Sequence, residues 1–163
     1  MSKRTGKTII GLTGNIATGK SVVRRMMEHL GAYTIDADSL AHRVLSKGAP
    51  GYQPTLDRFG KWVLDKDGNI DRAKLGKLVF SDADALAQLE EIVHPYVLQA
   101  VDLLIRRANQ RVIVVEAIKL IESGMREQCD SIWVTDAPQE VQIERLMRKR
   151  NLTREESIQR IRA

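Results

Sequence analysis

Apolar residues follow two rhythms along this chain. Four short β-rich runs, at 8–13, 33–36, 112–116 and 131–135, predict buried strands. Elsewhere apolar residues recur every three or four positions, as on a half-buried helix. Val22, Val23, Met26, Met27 and Leu30 form such a stripe over 21–30, which Gly31 closes. Residues 39–45 read as a helix and 47–51 as a turn. The stretch from 52 to about 108 is mainly helical. Within it, Ser81 is expected to open a helix through Leu86, Leu89, Ile92 and Val93. His94-Pro95 is expected to break that helix, because proline disfavours helical backbone in the residue before it. A second long helix then carries Val97, Val101, Leu104, Ile105 and Ala108 on one face. Pro138 suits the first residue of a helix through Val141, Ile143, Leu146 and Met147. Thr153 with Glu156 forms a capping box for a last helix.

Strands that are short, apolar and separated by helices predict a parallel sheet with helices on both faces, an α/β fold in three layers, α/β/α. The expectation is one domain over 1–163. Its core comprises about 1–45 and 110–137, a helical insertion spans about 46–109, and a final region spans about 138–163.

The loop after the first strand reads Gly14-Asn15-Ile16-Ala17-Thr18-Gly19-Lys20-Ser21, followed by Val22. This is the G-x-x-x-x-G-K-[ST] pattern between a strand and a helix. Glycines allow the tight turn, backbone amides and the helix start face phosphates, Lys20 reaches the β- and γ-phosphates, and Ser21 can ligate Mg²⁺. ATP and Mg²⁺ are therefore the expected small-molecule partners. Asp36, Asp38 and Glu116 fall at or just past the carboxyl ends of strands, where ligands of such sheets bind.

Composition narrows the field. The chain has 163 residues, a net charge of +5 and one cysteine, Cys129, so an intrachain disulfide is excluded and a buried apolar role is expected for that thiol. The basic balance suits anionic ligands. No zinc finger, basic zipper or aromatic-and-basic RNA motif is visible, and aromatics at 4% make a base-stacking platform a poor reading; no nucleic-acid partner is expected. No apolar run is long enough for a membrane span, and no secretory signal is read in the basic N-terminus. A cytoplasmic protein is expected. The sequence carries no reading of oligomeric state. Asp65, Asp67, Asn69 and Asp71 mimic the start of a calcium loop, but Gly68 and Gly76 stand at the wrong positions, so a plain turn is expected.

A phosphate loop does not specify a reaction. The guanine motif N-K-x-D is absent, which argues against a GTPase, and the strand ending in Glu116 fits a motor ATPase poorly. A kinase acting on a hydroxyl needs a base, arginines at the transferring group and a lid. Asp38 is the candidate base. Arg145, Arg148 and Arg150 are candidate arginines, against the alternative of a solvated face paired with Glu140 and Glu144.

The strings Gly11-Leu-Thr-Gly14…Gly19-Lys20-Ser21, Ile35-Asp-Ala-Asp38, Asp67-Gly-Asn-Ile-Asp-Arg72 with Leu75, Val79 and Phe80, and His94-Pro95 resemble the dephospho-coenzyme A kinase family. The resemblance implies transfer of the ATP γ-phosphate to the ribose 3′-hydroxyl of dephospho-coenzyme A, the last step of coenzyme A synthesis. It implies Asp38 as general base, with Lys20 and Arg145 at the transferring phosphoryl group. Asp36 would help hold the acceptor or the Mg²⁺ water shell, and Asp38 and His94 would lie toward the acceptor. The insertion would bind the acceptor, and the final region would act as a lid. Two departures stand out. Glu116-Ala-Ile-Lys119-Leu-Ile-Glu122 replaces a Pro-Leu-Leu-hydrophobic-Glu run, and the family's layout continues past position 163 with an edge strand and helix carrying part of the adenine site. The alternatives are a kinase of another nucleoside or small alcohol, and a truncated nucleotide-binding protein without catalysis.

Overall fold

The computed structural model describes residues 6–162; the basic residues 1–5, on which the signal-peptide reading rests, and position 163 lie outside it. The elements run β1 Thr8–Thr13, α1 Lys20–His29, β2 Tyr33–Asp36, α2 Ala37–Val44, α3 Tyr52–Phe59, α4 Arg72–Ser81, α5 Ala83–Arg107, β3 Val112–Glu116, β4 Ser131–Val134, α6 Gln139–Arg150 and α7 Arg154–Arg162. The four strands make one all-parallel sheet in the order β2-β3-β1-β4. Successive strand residues face opposite sides of a sheet. Ile113, Val114 and Val115 are consecutive and almost completely buried, so both faces are covered, as the near-continuous apolar runs require. The three-layer α/β/α arrangement follows.

The chain divides into two compact units. One comprises the described residues up to Asp36 and from Arg107 on; the other is Ala37–Arg106.

In the first unit, Val23 and Met27 of α1 pack on Ile10, Leu12 and Val114. The predicted five-residue stripe splits into two rows. Val23 and Met27 face the sheet, whereas Val22, Met26 and Leu30, each one position out of register with it, stay 50%, 61% and 82% exposed. Five apolar residues in ten span more arc than one sheet face can cover. Gly11 of β1 allows close packing: a Cβ there would stand 2.8 Å from Ile132 Cδ1 and 2.9 Å from Cys129 Sγ. The Cys129 thiol is half-buried and donates to the Met125 carbonyl. The capping box of α7 forms as read, with the Thr153 amide donating to Glu156 Oε2 and the Glu156 amide to Thr153 Oγ1. Pro138 precedes α6 as its cap rather than opening it.

In the second unit, Leu56, Val63, Leu75, Val79 and Ala85 form the core. The 64–71 segment is a turn, as expected. Asp65 Oδ1 accepts from the Asn69 and Asp67 amides, and the Asn69 amide chiefly holds this carboxyl below its usual pKa. Asp71 then caps α4 through the Ala73 and Lys74 amides.

Three expectations fail here. Ser81 ends α4 instead of starting a helix; Asp82 makes the boundary, its carboxylate accepting from the Asp84 and Ala85 amides. α2 begins at Ala37, directly after β2, so Asp38 lies in a first helical turn. His94-Pro95 does not break its helix: α5 runs 25 residues with Pro95 inside. Val93, Val97, Val101 and Ile105 are buried along one face that spans the proline, and their packing outweighs the local preference. Pro95 itself is exposed. Pro95→Ala restores a helical donor without opening a cavity, and should raise unfolding free energy by about 1–3 kcal/mol in urea titration.

Candidate active site

β1 ends at Thr13, and α1 starts at Lys20. Between them the chain turns through Gly14 at φ 144° and Gly19 at φ 111°. Gly14 allows no side chain, since a Cβ would stand 2.5 Å from Thr135 Oγ1 and closer still to the Thr135 carbonyl. Thr135 follows β4, and its amide donates to the Thr13 carbonyl at 2.8 Å. Its hydroxyl lies 2.8 Å from Thr18 Oγ1, which also donates to the Asn15 carbonyl. The loop is thus braced against the end of β4. Gly14→Ala should push the loop off Thr135 and weaken binding of a fluorescent ATP analogue at least about tenfold, as fluorescence titration would show.

Lys20 is buried although charged, and its Nζ donates to the Gly14 and Asn15 carbonyls at 2.6 and 2.9 Å. These two bonds hold the ammonium inside the curve of the loop. Ile16 N–H donates to Asn15 Oδ1, and Asn15 Nδ2 reaches the Ile161 carbonyl of α7 at 2.8 Å. Ala17 sits at φ 60°, a left-handed conformation that L side chains rarely adopt. Its carbonyl accepts from Arg145 Nη1 of α6 at 2.8 Å. The alternative of an arginine paired only with glutamates on its own helix does not describe Arg145. Glu140 is instead bonded by Arg154 of α7 at 2.7 and 2.9 Å. Val22, one residue past Ser21, donates its amide to the Gly19 carbonyl as the first helical turn closes.

Parallel register sets the acids. Glu116 pairs with Leu12 on one side and with Asp36 on the other, so both acids stand at the carboxyl ends of adjacent strands. Glu116 is buried, and its Oε1 accepts from Ser21 Oγ at 2.9 Å while Oε2 accepts from Arg24 Nε at 2.6 Å. Arg24 Nη1 also donates to Thr34 Oγ1. Ser21 Oγ and the Glu116 carboxylate are hard oxygen donors side by side, a set that suits Mg²⁺.

The structure therefore brings together the loop from Gly14 to Ser21, Glu116, Asp36 and Arg145. Asp38 and His94 belong to the second unit: Asp38 is half-buried at the start of α2, and His94 is half-buried within α5. Sequence reasoning missed Arg24 and Thr135. Arg24 had a signal, since three residues after Ser21 on a helix puts it on the same face. Thr135 had none short of knowing that β4 pairs with β1.

A strand, a loop turning on two positive-φ glycines and a helix begun by a buried lysine define a P-loop nucleotide-binding protein. The family model for dephospho-CoA kinase matches residues 8–163, and the chain belongs to that family. A dephospho-CoA kinase from Carboxydothermus hydrogenoformans is 45% identical over 158 residues, which is 95% of this chain and 77% of that relative. A crystal structure of TT1252 from Thermus thermophilus superposes with a TM-score of 0.84 at 32% identity, covering 97% of this chain and 80% of the other. A dephospho-CoA kinase structure from Campylobacter jejuni gives a TM-score of 0.62 at 30% identity, covering 96% and 79%.

Proposed function

We propose that this chain transfers the γ-phosphoryl group of ATP to the ribose 3′-hydroxyl of dephospho-coenzyme A, releasing ADP and coenzyme A, and that it does so in the cytoplasm. Family membership supplies the acceptor. The observation that carries the chemistry is Arg145 on the Ala17 carbonyl, which brings a second cation onto the loop that Lys20 already occupies.

In this reading, the amides of residues 14–21 and the start of α1 hold the β- and γ-phosphates. Lys20 and Arg145 stabilise negative charge on the equatorial oxygens as the phosphoryl group moves. Ser21 and Glu116 are the residues that would hold Mg²⁺, which when bound neutralises charge on the phosphate oxygens. Asp38 accepts the proton of the 3′-hydroxyl as that oxygen bonds to the γ-phosphorus and the bond to the ADP oxygen breaks. Asp36 and His94 serve the acceptor side.

A panel of hydroxyl acceptors in an ADP-release assay tests the assignment. Dephospho-coenzyme A should give the highest kcat/KM by at least about two orders of magnitude over nucleosides and simple alcohols. Equal use of another nucleoside would move the activity to that acceptor.

A further inference from the structure

Arg24 and Arg25 are neighbours on α1, yet their side chains go different ways. Arg25 is exposed and donates from Nε to the Ser21 carbonyl at 3.2 Å, back along its own helix. Arg24 stands three residues past Ser21 on the same helix face and turns onto the carboxyl ends of the strands. Its Nε donates to Glu116 Oε2 at 2.6 Å, and its Nη1 donates to Thr34 Oγ1 at 3.3 Å. Thr34 lies two positions before Asp36 in β2, on the same face of that strand. One guanidinium thus joins β3 to β2, while the other oxygen of Glu116 accepts from Ser21 Oγ.

The division of the carboxylate is the informative point. The last torsion of a glutamate is broad and nearly two-fold, so the group has little preferred orientation of its own. A charge-assisted bond on Oε2 fixes it. With Oε2 taken by Arg24, Oε1 is the oxygen left facing Ser21, whose hydroxyl is at the exposed start of α1. Thr34 fixes the guanidinium in turn. A lysine could not do this, since a single ammonium lacks the planar fork that reaches two acceptors in set directions.

We infer that Arg24 is a positioning residue, which keeps Glu116 aimed at Ser21 so that the two oxygens are aligned before Mg²⁺ arrives. The inference rests on the reading of Ser21 and Glu116 as the magnesium-binding pair and deepens it; it does not depend on the acceptor. Two effects of Arg24 oppose each other. Its positive charge repels a metal ion, but the side chain is 22% exposed and solvent screens part of that repulsion. Orientation of a ligand by its outer partner is commonly worth about 10–100-fold in metal affinity. Orientation therefore outweighs repulsion.

The test compares wild type with Arg24→Lys, Arg24→Gln and Arg25→Gln. Each is titrated with a fluorescent ATP analogue in EDTA and again over a range of Mg²⁺, and urea unfolding in EDTA checks folding. Arg24→Lys keeps the charge and loses the fork; Arg24→Gln loses both. In both, the Mg²⁺ concentration for half-maximal nucleotide binding should rise about tenfold or more, with affinity in EDTA within about twofold of wild type. Arg25→Gln removes the same charge from the same helix and should leave that midpoint within about twofold, because its side chain does not touch Glu116. A wild-type midpoint in folded Arg24→Lys overturns the inference. So does a lowered midpoint in Arg24→Gln, which would mean that the cation only opposes the metal. Equal weakening in EDTA and in Mg²⁺ would mark a role in folding alone and would overturn it too. If Mg²⁺ does not strengthen nucleotide binding by wild type, the magnesium reading of Ser21 and Glu116 falls, and this inference with it.

Discussion

Asp38→Asn should lower turnover with dephospho-coenzyme A by about 10²–10⁴-fold while ATP affinity stays within about twofold, the range that a positioned general base supplies. The amide has nearly the carboxylate's shape and hydrogen-bonding reach but no useful basicity. Asp38 lies in the first turn of α2, and a carboxylate, unlike an amide, can accept a proton. ATP affinity should be spared because the groups proposed to hold the phosphates, the loop amides and Lys20, do not belong to α2. Single-turnover kinetics at saturating ATP, with a parallel binding titration, separates the two effects. Turnover equal to wild type would remove Asp38 from the chemistry.

Glu116→Ala is expected to have the largest effect on stability. The Glu116 side chain is 6% exposed and holds both Ser21 and Arg24, whose own side chain is 22% exposed. Truncating one partner of a buried ion pair leaves the other charge uncompensated, at a cost of about 3–5 kcal/mol when both are fully buried. Arg24 reaches some solvent and keeps its bond to Thr34, so a loss of about 2–3 kcal/mol is expected in urea unfolding. Glu116→Gln keeps the volume and one acceptor oxygen and should cost less. It should still raise the Mg²⁺ concentration needed for half-maximal nucleotide binding, because the hard anionic oxygen is gone. A double-mutant cycle with Arg24→Gln isolates the ion pair from the contact with Ser21. Full stability in Glu116→Ala would show that the carboxylate is not structurally engaged with Arg24.

The parts of this fold that were legible in the sequence are those governed by local chemistry. Gly14 and Gly19 announced a loop with positive φ, and the Thr153–Glu156 capping box announced the start of α7. The all-parallel sheet followed from apolar runs that only two-sided burial explains. What failed was decided by distant packing. The local rule at Pro95 lost to a long buried face on α5. The predicted stripe on α1 divided because the sheet can cover only Val23 and Met27. At the site, residue types were legible and their partners were not. Glu116 stood out as an acid closing an apolar strand, but its bond to Ser21 depends on parallel register between β1 and β3, residues about a hundred positions apart in the chain. Arg145 was one of three candidates in a basic helix. Only the way α6 lies against the phosphate loop separates it from Arg148 and Arg150.

The destination of the phosphoryl group decides between these activities. Phosphorus NMR of the products formed from ATP, Mg²⁺ and dephospho-coenzyme A by the wild-type chain reads this directly. ADP and a new phosphomonoester on the ribose 3′ position are expected in equal amounts. ADP with inorganic phosphate alone, or a phosphomonoester at another position, would contradict it.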